Sequence, residues 1–334
     1  MRLRILTESD VRSLIDMDAA IPIQEEAFAR LASGESVEGL RSFVVSESPP
    51  GVAIFNPSFL KNGGGYGVKI VSDFFGNAER GVARMSAIVT LFDGETGHPR
   101  TVMEGGYLTD LRTGAGTGAA ARRLARADSR VATVIGAGRV ARNQLHALAR
   151  THDLERVLIA GRSEARARAF ADWIEAEPDM PDDVRLAGST SEAVGAADIV
   201  VAATTSSEPV VLGRDLRAGT FVAAAGANQA TAREVDTETV VRAKKLVIDS
   251  PADSLANAGD LAIPIAEGAI GEDAVTGIAD IVAGNRPGRE TEEEITYYKS
   301  LGLPIQDLIT AQHIERRAVA AGVGTVIELG GDHD

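Results

Sequence analysis

The sequence predicts an α/β fold in two parts, one of them built on a parallel sheet, and three observations carry that reading. From Thr113 an Ala-rich helical stretch runs to about Ala127, and short apolar strands then alternate strictly with helices, the pattern of a parallel sheet. The strand Val131 to Ile135 runs directly into Gly136-Ala137-Gly138-Arg139-Val140-Ala141 at the opening of a helix. Residues before Thr113 lack this alternation, and the 334-residue chain is long enough for two domains with separate cores.

The first part opens with a helix expected from Glu8 to about Leu31, apolar at helical spacing. Strand-like runs follow, among them Ser42-Phe43-Val44-Val45 and Ile88-Val89-Thr90-Leu91, separated by glycine turns such as Asn62-Gly63-Gly64-Gly65. In the second part the expected strands are Val131 to Ile135, Arg156 to Ala160, Asp198 to Ala203, Phe221 to Ala225 and Leu246 to Ile248. The acidic stretch Arg289 to Glu294 reads as a solvated helix start. Gly302 and Pro304 break the pattern before a last helix from about Ile305 to Ala321.

Composition narrows the chemistry. Cys is absent and the five His are scattered, which excludes disulfides, zinc-thiolate sites and a cysteine nucleophile and leaves no metal-ligand spacing. No apolar run approaches the ~20 residues that span a bilayer, so a soluble, cytoplasmic protein is expected. A formal net charge of −14 disfavours nucleic acid and anionic membranes as partners, so any anionic ligand must be met by a local cluster of Arg and Lys.

The glycine turn is a dinucleotide fingerprint. Gly136 permits the tight turn, Gly138 lets a pyrophosphate approach the backbone, and Ala141 allows close packing of a helix whose N-terminus attracts phosphate. This makes the second part a Rossmann domain for NAD or NADP. Candidate cofactor contacts are Gly136, Ala137, Gly138, Arg139, Val140, Arg162, Ser163, Thr113, Thr204 and Ser300. The second strand ends Ile159-Ala160-Gly161-Arg162-Ser163 without an acid. Arg162 and Ser163 can therefore hold a 2′-phosphate, or Arg162 can lie against adenine, and the coenzyme stays open.

Read together with that turn, Tyr66-Gly67-Val68-Lys69, Gly106-Tyr107-Leu108-Thr109-Asp110-Leu111-Arg112-Thr113, Ala258-Gly259-Asp260-Leu261 and Lys299 to Leu308 resemble the ornithine cyclodeaminase and mu-crystallin family. That family also includes alanine dehydrogenases, ketimine reductases and related imino-acid reductases. The resemblance runs nearly end to end. It implies a Rossmann domain over 114–310, an α+β substrate-binding and dimerisation domain over 1–113 with 311–334, an active site in the cleft, and a homodimer. It further implies that Arg41, Lys69 and Arg112 surround a substrate carboxylate.

Physical chemistry supports those roles. An Arg fork suits a carboxylate, and repulsion from the two Arg should lower the Lys69 pKa, making it a proton donor near neutral pH. The family's cyclising members need an acid where this chain has Ile54 and an Asp where it has Asn228. Asn228 can hydrogen-bond an amine or simply turn its loop, but it cannot exchange a proton as a carboxylate does. Arg84 stands where the family usually has Thr or Ser, and Asn56 and Ser58 can add neutral hydrogen-bonding groups. The expectation is NAD(P)H-dependent reduction of a small 2-imino acid, with the dicarboxylic iminosuccinate, giving aspartate, as the first choice. Arg84 can instead meet cofactor phosphate or solvent. Ammonia-eliminating cyclisation and cofactor-dependent ligand binding are the alternatives.

Overall fold

The opening helix is two helices, Glu8–Leu14 and Met17–Ala32, in the computed structural model of the chain, which describes residues 1–330. Thr7 caps the first through a reciprocal capping box with Asp10, and Asp16 caps the second by accepting from the Ala19 N–H at 2.8 Å. Continuous apolar spacing hid that break, because it persists across the junction at Ile15 and Met17, both buried.

The chain divides into two units, Met1–Arg112 with the residues from Leu303 onward, and Thr113–Gly302. In the first unit an eight-stranded sheet runs Thr325–Glu328, Arg2–Leu6, Pro99–Glu104, Met85–Phe92, Gly65–Phe74 and Pro50–Leu60. Ser36–Glu38 and Ser42–Glu47 both pair with the far edge of Pro50–Leu60. All pairings are antiparallel except that of Arg2–Leu6 with Pro99–Glu104. The reversal at residues 62–65 needs left-handed backbone at Asn62, Gly63 and Gly65 (φ 59, 76 and 77°).

The helix Pro304–Ala321 belongs wholly to this unit, so the return begins at Leu303 rather than at 311. Its first two turns, Pro304 to Ala311, are buried throughout, and that burial assigns them here. Gly67 makes the approach possible: a β-carbon there would come within 2.8 Å of the Thr90 carbonyl oxygen and 3.1 Å of Leu308 Cδ1. Residues 331–334, included in the expected returning segment, lie outside the described residues.

The second unit holds an eight-stranded, wholly parallel sheet. Its order is Asp183–Leu186, Arg156–Ala160, Val131–Ile135, Ile199–Ala202, Phe221–Ala224, Thr296–Lys299, Lys245–Ile248 and Val275–Gly277. Three of these strands, at 183, 275 and 296, were not anticipated. The Ala-rich helix starts at Gly106, not Thr113, because the Glu104 carboxylate accepts from the N–H groups of Gly106 and Tyr107 (2.5 and 2.9 Å) and so caps it earlier. Arg289 to Glu294 forms no helix. The Arg289 guanidinium donates to the carbonyls of Leu124, Thr291, Glu294 and Gly219, drawing the segment into a turn ahead of the strand Thr296–Lys299. Among the described residues no helix is long and apolar enough to cross a membrane.

Candidate functional site

In the parallel unit, the strand Val131–Ile135 delivers Gly136 to the carboxyl edge of the sheet. Gly136 has φ +112°, and a β-carbon on it would lie 2.3 Å from the Ala203 carbonyl oxygen. Gly138 is the N-cap of the 13-residue helix Arg139–Thr151, with no side chain capping it, and a β-carbon there would meet nothing within 4 Å. Uncapped helix N–H groups facing open space fit a dinucleotide pyrophosphate. Ala137 and Val140 are half-buried in this turn, while Gly138 and Arg139 are exposed.

One substitution tests the turn directly. Gly136→Val forces a branched side chain into left-handed backbone, at about 1–3 kcal/mol before the clash with Ala203 is counted. The expected result is a melting temperature lower by roughly 5 °C or more, with loss of NADH binding in a fluorescence titration. Unchanged binding would count against the turn as the cofactor site.

The other sequence-predicted cofactor residues lie at varied depths. Thr204, half-buried, follows the strand Ile199–Ala202, and Arg162 and Ser163 are exposed after Arg156–Ala160. The Ser163 hydroxyl accepts from the Arg166 N–H at 3.4 Å and caps the next helix. Thr113 is half-buried and its carbonyl accepts from Gln144 at 3.3 Å. Ser300 is buried, and its hydroxyl turns to Asp249 at 3.5 Å, beside the Leu301 and Gly302 N–H groups from which Asp249 accepts (both 2.5 Å). Asn228 is exposed after the buried Ala227.

In the antiparallel unit, strand register sets Lys69 between Asn56 and Val89, all three buried. Paired residues share a sheet face, the one on which Pro304–Ala321 lies. The Lys69 ammonium donates to Asp307 Oδ2 at 2.7 Å, and Arg112 Nε to Asp307 Oδ1 at 2.9 Å. One carboxylate therefore bridges two cations, each only 5% exposed. Gln306 accepts weakly from Arg112 at 3.4 Å and is itself held by Gln24 and the Leu303 N–H. Arg41 donates to Asn56 Oδ1 at 2.8 Å, and Ser58 to Glu38 Oε1 at 3.0 Å, while Glu38 Oε2 accepts from the Ile305 N–H.

Lys69 is lowered to about 8. The direction agrees with expectation but the leading cause does not: burial comes first, then repulsion from Arg112, with Asp307 opposing and Arg41 adding a smaller lowering. Burial would raise Asp307, but Arg112 and Lys69 overcome it and hold the carboxyl below its ordinary value.

Arg84 does not join this cluster. It forms a two-pronged pair with Asp73 (2.7 and 2.9 Å), its side chain largely exposed. Asp73 lies four residues beyond Lys69 on the same strand, about 13 Å away. The cation that suggested a second substrate carboxylate is neutralised at the sheet margin. Ile54, by contrast, shares the cluster's face of its strand, two residues from Asn56, and adds no charge. Sequence reasoning missed Asp307, Glu38 and Gln306. The available signal was electrostatic: a Lys and an Arg buried together require a counter-charge.

The model of the ornithine cyclodeaminase/mu-crystallin family matches residues 1–322. The chain is similar to the Thermococcus litoralis Δ1-pyrroline-2-carboxylate reductase solved with NADH and L-proline, at 38% identity and TM-score 0.91, covering 96% of this chain and 99% of that one. An archaeal alanine dehydrogenase dimer with bound NAD is 34% identical, with TM-score 0.91 over 99% and 100% of the two chains. The iminosuccinate reductase of Paracoccus denitrificans, solved with NAD+, is 26% identical, with TM-score 0.90 over 98% and 100%.

Proposed function

We propose, from the premise that this chain belongs to the ornithine cyclodeaminase/mu-crystallin family, that it reduces a small 2-imino monocarboxylate to the amino acid. It is a nicotinamide-dependent oxidoreductase of imino and amino acids, and the cyclic imine Δ1-pyrroline-2-carboxylate is the first-choice substrate. The observation that carries this reading is the buried Lys69–Asp307–Arg112 bridge with Arg41 tied to Asn56 beside it.

Lys69, Arg112 and Arg41 together carry more positive charge than Asp307 and Glu38 offset, so the cluster attracts an anion. Arg112 and Arg41 bind the substrate carboxylate and fix the carbon that bears the nitrogen. Lys69 in its charged form gives a proton to that nitrogen, so C=N gains hydrogen at both ends. The dinucleotide, when bound at the glycine turn, supplies the hydride. Ile54 offers an apolar side chain where a cyclising enzyme needs an acid, and Asn228 cannot relay a proton; both favour simple reduction over ammonia elimination.

The dicarboxylic reading keeps support from the similarity to iminosuccinate reductase but loses that from Arg84. An assay with NADH and with NADPH on Δ1-pyrroline-2-carboxylate, pyruvate plus ammonia, and oxaloacetate plus ammonia separates the cases. Expected is a kcat/KM at least tenfold higher on a monocarboxylate than on iminosuccinate, with Arg84→Ala changing every value by less than twofold. Preference for iminosuccinate, with a KM for it raised selectively by Arg84→Ala, would establish the dicarboxylic substrate instead. Silence across the panel with tight cofactor binding would make the protein a binder.

A homodimer belongs to this proposal. The edge strand Ser42–Glu47 exposes Phe43, Val44 and Val45 by 58, 62 and 71%, an apolar edge that suits pairing with a second copy.

A further inference from the structure

Beyond the glycine turn, the carboxyl edge of the parallel sheet is organised by one fully buried side chain, Glu234. Its Oε1 accepts from the Thr204 N–H and hydroxyl at 2.6 and 2.9 Å. Its Oε2 accepts from the N–H groups of Gly226 and Ala227 at 2.6 and 3.0 Å. A single carboxylate thus ties together the loops that leave two neighbouring strands, Ile199–Ala202 and Phe221–Ala224. The packing between them leaves no slack. A β-carbon on Gly226 would fall 2.1 Å from the Thr204 carbonyl oxygen, and the Ala203 carbonyl already closes on Gly136 from the other side.

Glu234 is in turn held from behind. Asp260 Oδ1 accepts from the N–H groups of Glu234 and Val235 at 2.6 and 3.0 Å. Asp260 Oδ2 meets the ammonium of Lys299 at 2.5 Å, and that ammonium also lies 4.0 Å from Glu234. Asp260 and Lys299 are fully buried as well. Removing three charges from water is costly, and hydrophobic side chains would fill the same volume without that cost. What the charges supply is geometry: Glu234 satisfies four donors from two loops at once, which no apolar residue can do.

We propose that Glu234, braced by Asp260 and Lys299, is a positioning residue for the cofactor site: it fixes the spacing of the Gly136 turn, Thr204 and the Gly226–Asn228 loop on which the bound dinucleotide rests. This rests on the cofactor reading given above. Glu234→Gln is the sharp perturbation, because an amide offers one acceptor oxygen. Its NH2 must then face either the Thr204 donors or those of Gly226 and Ala227, donor against donor.

The test is a fluorescence titration of the full-length protein with NADH, paired with steady-state kinetics. Glu234→Gln is expected to raise the NADH Kd at least tenfold and to lower kcat, while the KM for the imino acid, held by residues of the other unit, moves less than threefold. A purely structural role would lower the melting temperature but leave the folded variant's Kd at the wild-type value, and a Kd within twofold of wild type overturns the proposal. Should Glu234→Gln fail to fold, Asp260→Asn, which weakens the brace while keeping one acceptor, is read by the same Kd criterion. Failure of the wild type to bind either NADH or NADPH would instead overturn the cofactor reading itself.

Discussion

Lys69→Ala is expected to lower kcat for imine reduction by about 10²–10⁴-fold, the usual worth of a general acid, while leaving the NADH Kd unchanged. The side chain is buried, its ammonium rests on Asp307, and its pKa stands at about 8. A donor must carry its proton, so kcat/KM for reduction should be level below pH 8 and fall above it. The reverse reaction needs the neutral amine as acceptor, and its kcat/KM should rise towards pH 8 and then level. Lys69→Arg keeps the charge but holds its proton at every accessible pH, so it should lose both limbs together with most of the rate. Parallel pH profiles from stopped assays in each direction check the point. Retention of more than a tenth of wild-type kcat by Lys69→Ala would remove Lys69 from the chemistry.

Why that lysine could be singled out while its partner could not is a matter of sequence distance. Lys69 and Arg112 sit in short motifs whose neighbours constrain them, whereas Asp307 is 195 residues from Arg112. In its own segment Asp307 looks like an ordinary acid in the first turn of a helix, a favourable place for a carboxylate on dipole grounds alone. Only the folding of Pro304–Ala321 across Gly67 turns it into a counter-ion. Arg84 shows the converse: as a sequence letter it is a lone cation near two strands, and only register shows Asp73 beside it.

The same contrast separates the strands that were legible from those that were not. Val131–Ile135 and Arg156–Ala160 are largely apolar runs closed by glycine, and the structure begins and ends them at the bounds read from the sequence. Thr296–Lys299 is equally central, yet its four buried residues are Thr, Tyr, Tyr and Lys. The buried Lys299 is tolerable there because Asp260 meets it, a fact held by another segment of the chain. Asp183–Leu186 and Val275–Gly277 are edge strands, too short and too polar for periodicity to mark.

Asp307 is the residue whose loss should be felt most widely. Asp307→Ala leaves Lys69 and Arg112 buried against each other, and breaking one side of such an arrangement costs about 3–5 kcal/mol. The melting temperature should drop by roughly 10 °C or more. Asp307→Asn keeps the volume and isolates the charge. Asp307 raises the Lys69 pKa against burial and Arg112, so its neutralisation moves that pKa below about 8. The alkaline fall in reduction rate then begins at lower pH than in the wild type.

The stability difference between wild type and Asp307→Asn also has a defined pH window. Asp307 is held below 3.8, so its contribution is present above that pH and is lost in acid as the folded-state carboxyl takes its proton; there the two proteins converge. Towards alkali, the folded variant sheds the Lys69 proton early while the unfolded chain keeps it until about 10.5. The unfolded state binds more protons across that range, so the variant's stability climbs with pH and the deficit narrows. It does not vanish, because Arg112 stays charged. Urea unfolding at pH 3, 6.5 and 9.5 should therefore show the largest gap at the middle value, and a gap independent of pH would mean that Asp307 acts through packing rather than through its charge.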